Sequence, residues 1–147
     1  MNDSVAALHS FTQAIAADEK FAPTYVELVA LQVAAGDWNK AIDSAGKATA
    51  LDPDAFPRAY YISAVSNVRL NQADGAEKSA VEGIRVDGDH EIPDLEYIEG
   101  IFLLSKGDVP GGRRQLQNYL SHAPNGVNAA NARQQLADTP GSNSSDR

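Results

Sequence analysis

The chain has no cysteine, one methionine and one tryptophan, and only 7% of its 147 residues are aromatic. The missing cysteine excludes disulfides and thiolate metal sites, and it leaves the redox compartment open. Scarce aromatics beside many alanines mean that a core must come from close helix packing rather than from bulky side chains. Cations are also in the minority, with 12 Lys and Arg against 20 Asp and Glu and a net charge of -8. Gripping a phosphate backbone needs clustered cations, so no nucleic-acid partner is expected. No apolar run is long enough to span a bilayer, and the opening MNDSVAALHSF lacks the basic start and continuous apolar stretch of a signal peptide. We expect a soluble chain with no membrane insertion, and nothing in it assigns a compartment.

What is present is a folding composition, 43% hydrophobic at a length that suits one domain, and an internal period. Helix-stop signals fall at Leu51-Asp52-Pro53, Val86-Asp87-Gly88 and His122-Ala123-Pro124, 35 and 36 residues apart. Turn signals at Gly36-Asp37, Asn71-Gln72 and Gly107-Asp108 keep the same spacing. Gly, and Asn less comfortably, accept the left-handed backbone that ends a helix. Each period therefore holds two helices joined by a tight turn. The first of each pair is predicted near 23–35, 57–70 and 93–106, with Pro23, Pro57 and Pro93 in the first turn, where a missing N–H costs nothing. The second is predicted near 38–51, 73–86 and 109–122, with Asp37 and Asp108 as N-caps.

Small residues keep step along these second helices: Ala41 and Ala48, then Ala76 and Gly83, each pair two turns apart and so on one face. Such a face lets a neighbouring helix approach closely. The third repeat departs, with Gly112 in the first place and Tyr119 in the second. Residues 4–21 carry the second-helix pattern alone, Ala7, Phe11 and Ala14 standing where Ala41, Ala45 and Ala48 stand one period on. We read this as a half repeat, either a true start or, as we favour, the cut end of a longer array. After Pro124 the stretch NGVNAANARQQLAD puts Val127, Ala130, Arg133 and Leu136 on one side, as a capping helix needs. The small polar TPGSNSSDR is expected to be disordered.

These features are similar to those of the tetratricopeptide repeat (TPR) family. The matching residues are Tyr25, Leu28, Gly36, Asp37, Ala41, Ala48 and Pro53, then Tyr60, Ala76, Gly83 and Asp87, then Gly100, Leu103, Gly107, Asp108 and Pro124. The resemblance implies an all-α fold, an α-solenoid of antiparallel helix pairs in a right-handed superhelix. It divides residues 1–138 into a half repeat at 4–21, repeats at 22–55, 56–91 and 92–125, and a capping helix at 126–138, followed by a tail at 139–147. Glu96 and Glu99 depart from the family, which prefers an aromatic and a leucine there, and a buried carboxylate is costly. Ser63 and Asn67 likewise weaken the second repeat.

Little in the sequence points to catalysis. His9, His90 and His122 are far apart, and none has a second ligand at helical metal-binding spacing, so solvated histidines are expected. Asp87-Gly88-Asp89-His90-Glu91 opens like a calcium loop but has Ile92 where the glycine belongs and Ile98 at the twelfth place. Ser121-His122 with Asp138 has no strained nucleophile turn, and Gly111-Gly112 follows no strand and begins no phosphate loop. No enzyme, cofactor or metal is expected.

In the family, partners lie along the concave face made by the first helices. The residues of this chain at those places are Val26, Ala30 and Val33, then Tyr61, Val65, Val68 and Arg69, then Tyr97, Ile101 and Leu104, with Arg58 and Arg69 able to pair with an acidic ligand. This surface is apolar with two tyrosines, the kind that marks interaction sites. Val26 and Ala30 replace polar residues of the family's carboxylate clamp. The expected function is a non-catalytic scaffold binding a protein or peptide, apolar or amphipathic, in the groove. The alternative is self-association, a homo-oligomer formed through apolar surface at the open N-terminal end around Ala7, Phe11 and Ala14. A basic partner on the carboxylate run from Asp87 to Glu99 is a further expectation.

Overall fold

The computed structural model describes residues 2–139, and among these every regular element is an α-helix. The helices are α1 (Asn2–Ala17), α2 (Ala22–Ala34), α3 (Trp38–Leu51), α4 (Pro57–Arg69), α5 (Ala73–Val86), α6 (Asp94–Ser105), α7 (Val109–His122) and α8 (Ala129–Asp138). Within the repeats each predicted helix is matched to within a residue at either end. The expected tail lies outside the described residues except for Thr139. Among the described residues no helix is long and apolar enough to cross a membrane.

The turn chemistry explains the pairing. Gly36, Asn71 and Gly107 all have positive φ, at 75°, 56° and 84°, and each follows the last turn of the first helix of a pair. Reversing the chain this sharply requires the left-handed conformation, which a β-branched or bulky residue resists. Capping differs between repeats. Asp108 accepts a hydrogen bond from the Gly111 N–H at 2.9 Å, as an N-cap does. Asp37 makes no such bond, contrary to expectation, and its carboxylate instead pairs with Lys40 at 3.0 Å.

The chain forms two compact units, Met1–Asp87 and Gly88–Arg147. In the first, α1 packs on α2, α2 on α3, α3 on α4 and α4 on α5, with α2 and α4 also touching. This is the stacking of helix hairpins in an all-α solenoid. Its core joins Tyr25 and Val29 of α2 to Ala41, Ala45 and Ala48 of α3 and Ala59 of α4. The alanine face of α3 is thus the seam against which α2 and α4 close. Ser63 and Asn67, polar residues on α4, are satisfied locally: the Ser63 and Ser79 hydroxyls lie 3.0 Å apart, and the Asn67 amide donates to the Ser63 carbonyl at 2.8 Å. Outside, Arg85 spans from α5 to the turn at Pro53-Asp54, donating to Asp54 at 2.7 Å and to Glu82 at 2.9 Å. Those two hydrogen bonds hold its guanidinium above its ordinary pKa range.

In the second unit α6 packs on α7 and α7 on α8. Buried Leu116 and Tyr119 of α7 meet Ala129 and Ala132 of α8, with Tyr97, Ile101 and Leu104 of α6 packed alongside. Tyr119, the aromatic that replaces a small residue of the other repeats, has a structural use. Its hydroxyl accepts the Asn128 N–H at 3.0 Å and so fixes the entry into α8.

Candidate functional site

Eight of the eleven expected groove residues lie on α2 and α4 of the first unit. Val26, Ala30 and Val33 stand at i, i+4 and i+7 on α2, and Tyr61, Val65 and Val68 stand in the same register on α4. Since α2 and α4 touch, two apolar stripes run on neighbouring helices. Ala30 is exposed and Val68 is 47% exposed, whereas Val26, Val33, Tyr61 and Val65 are half-buried. Val26 and Val33 also pack on the core, so part of their apolar surface is already used. Arg58 is exposed; Arg69, exposed too, sits over the Trp38 ring at 5.8 Å from its centroid, where the ring face attracts the cation.

Tyr97, Ile101 and Leu104 repeat that register on α6 in the second unit, where the surroundings differ. All three pack on the α7–α8 cluster, and the Tyr97 hydroxyl donates to Asn131 of α8 at 2.9 Å. The Tyr97 and Tyr119 rings are tilted against each other with centroids 5.5 Å apart. Burial, with smaller contributions from Tyr119 and Asp94, pushes the Tyr97 hydroxyl above its usual pKa. Asn128 also donates to Asp94 at 2.9 Å, so the approach to α8 is tied to the start of α6. Helix α8 therefore engages this stripe from within the unit, but through Ala129, Ala132 and Leu136: of the side expected to pack, Val127 precedes the helix and is exposed, as are Ala130 and Arg133.

A second cluster escaped the sequence reading. Glu96 is 3% exposed, and each of its carboxylate oxygens meets a histidine: Oε1 lies 3.0 Å from His90 Nδ1 and Oε2 3.1 Å from His122 Nδ1. The two imidazoles, expected to be solvated singly, stack with centroids 4.2 Å apart and planes within 12°. The costly carboxylate noted at Glu96 is therefore partnered twice. Glu99 is buried as well, at 6% exposed. The sequence did hold one signal, a charge at a place on α6 that packing would otherwise give to an aromatic.

No family model and no curated protein matches the chain. Solved structures do. MamA is 21% identical, with 93% of this chain and 79% of that one covered at a TM-score of 0.79. The first TPR of Spaghetti (RPAP3), bound to the HSP90 peptide SRMEEVD, is 18% identical over 82% of this chain and 94% of that one, with a TM-score of 0.69. The Yersinia enterocolitica type III secretion chaperone SycD, in complex with a peptide of the translocator YopD, is 17% identical over 80% and 90%, at 0.66. The chain has the tetratricopeptide-repeat fold. Its helix pairs, left-handed turns and small-residue seams are the physical content of that likeness. Where Tyr119 and Glu96 depart from the repeat pattern, the fold absorbs them through α8 and the two histidines.

Proposed function

We propose that the protein is a non-catalytic interaction scaffold that binds an apolar or amphipathic peptide or protein segment along its inner helices. The observation that carries the reading is the pair of matched stripes on α2 and α4, with Ala30 and Val68 exposed on touching helices. Apolar surface left open on two touching helices gains free energy when a partner covers it, at about 25 cal/mol per Å². The RPAP3 and SycD structures, each with a peptide bound, support the same use of this fold. SRMEEVD is acidic, however, and the stripes here carry valine and alanine where a clamp for such a peptide needs cations. An amphipathic helix laid on the stripes matches their i, i+4, i+7 spacing. Tyr97, Ile101 and Leu104 complete the proposed set in the second unit, with Arg58 and Arg69 meeting acidic residues of the partner.

The test is selection from a peptide library followed by binding to Ala30→Glu and Val68→Glu. Both positions are exposed, so these variants keep the fold. We expect at least a tenfold loss of affinity in each; unchanged binding in both overturns the groove reading.

A second reading is favoured by a separate observation on α1, where Leu8 is 43% exposed and Ala14 is exposed beside half-buried Ala7 and Phe11. Self-association through this face gives a mass that rises with concentration in light scattering. A strict monomer excludes it.

A further inference from the structure

Three donor atoms, one each from His90, Glu96 and His122, lie within 4.8 Å of one another. They come from three places in the second unit: the segment before α6, the first turn of α6 and the last turn of α7. The middle one is the buried carboxylate, and the two imidazoles are 43% and 33% exposed on its solvent side. His90 reaches it from a backbone with φ at 53°, a left-handed conformation that a non-glycine residue rarely keeps unless its surroundings impose it.

We propose that His90, Glu96 and His122 form a binding site for one divalent transition cation of the zinc class, with the remaining coordination position open to solvent. Two imidazole nitrogens and one carboxylate oxygen are a borderline donor set, which suits Zn²⁺, Ni²⁺ or Cu²⁺; Ca²⁺ and Mg²⁺ take all-oxygen sets. Bonds of about 2.0–2.2 Å place tetrahedral ligand atoms roughly 3.4 Å apart, close to the 3.0 and 3.1 Å that already separate nitrogen from oxygen here. The stacked rings are not yet aimed at a common point. Rotation of each imidazole about its side-chain bonds, which their exposure permits, turns both lone pairs onto the ion. The ligand form of each ring is the neutral imidazole with its hydrogen on Nε2, which leaves the Nδ1 lone pair for the ion. A +2 ion also supplies the charge that a buried carboxylate needs. Asp87, Asp89, Glu91 and Asp94 lie close by in sequence, and their field raises the local cation concentration. The bound ion would fasten the segment before α6 to the end of α7, independently of any partner on the stripes of the first unit.

Titration of the tag-free full chain with Co²⁺ tests the site, since cobalt reports nitrogen and oxygen ligation through its visible absorption. We expect saturation at one equivalent, displacement by Zn²⁺, and no displacement by a matching concentration of Ca²⁺. His90→Asn, which tolerates the left-handed backbone, and His122→Ala should each weaken binding about tenfold or more, with helical circular dichroism unchanged; His9→Ala should not alter it. Absence of saturable binding, displacement by Ca²⁺, or affinity unchanged from the parent chain in both His90→Asn and His122→Ala overturns the proposal.

Discussion

Gly100 of α6 and Gly112 of α7 face each other backbone to backbone: a Cβ on Gly112 would lie 2.9 Å from the Gly100 carbonyl oxygen, and one on Gly100 would lie 3.2 Å from that of Gly112. The same Cβ on Gly112 would meet Leu104 Cγ at 2.6 Å. Gly112→Ala should therefore force the two helices apart and cost about 1–3 kcal/mol. Gly46 is the contrast, an exposed glycine in α3 with nothing within 4 Å of an added Cβ. Gly46→Ala should stabilise by about 0.5–1 kcal/mol through helix propensity alone. Thermal melts of the two variants should move in opposite directions.

The small face of α3 should refuse a larger residue. Ala41 and Ala48 are each 0% exposed at the seam with Tyr25, Val29 and Ala59. Ala41→Leu is expected to cost roughly 1–3 kcal/mol by overpacking. Full burial of Trp38 would set the loss in Trp38→Ala at about 3–5 kcal/mol, but the indole is half-buried under Arg69. We expect about 2 kcal/mol instead, and denaturant midpoints should rank the two variants.

Of the three turns that join the helices of a pair, at Gly36, Asn71 and Gly107, the one at Asn71 holds positive φ with a side chain attached. Asn71→Ala should lower stability by about 1 kcal/mol, because a left-handed alanine is strained. Asn71→Gly should be neutral or stabilising in the same melt. Equal losses in both variants would mean that the side chain, rather than the backbone, matters there.

The pH dependence follows from Tyr97. Burial raises its pKa, so above about pH 10 an unfolded tyrosine has lost a proton that the folded one keeps. The folded state then binds more protons, and stability falls as pH rises through that range. Below it the contribution is constant. Tyr97→Phe should flatten the alkaline decline of Tm while removing the bond to Asn131 at neutral pH.

Most of the fold was legible because its determinants are local. Pro57 starts a helix, Gly36 and Gly107 end one, and Ala41 with Ala48 marks a seam, all within a few residues of where they act. Asp37 shows the limit: its residue type suits a cap, yet its carboxylate goes to Lys40, a choice between two near-equal partners that type alone does not decide. The stripe registers on α2, α4 and α6 were also readable. That α8 engages Tyr97, Ile101 and Leu104 was not, since it depends on a contact 34 residues away, between Tyr97 and Asn131. His90, Glu96 and His122 were beyond reach for the same reason. Their convergence is set by how α6 crosses α7, which the glycines permit but do not spell out.

The tight left-handed turns also bear on how the chain acquires its structure. Each brings a helix back against the one just formed with only a few residues between them, so little loop entropy is lost before apolar contacts form. Packing in each unit is dominated by neighbours in sequence, a topology of low contact order that folds in microseconds to milliseconds. Hairpins of this kind can form as they leave the ribosome, that of α2 and α3 offering its alanine seam to α4 before the rest of the chain exists.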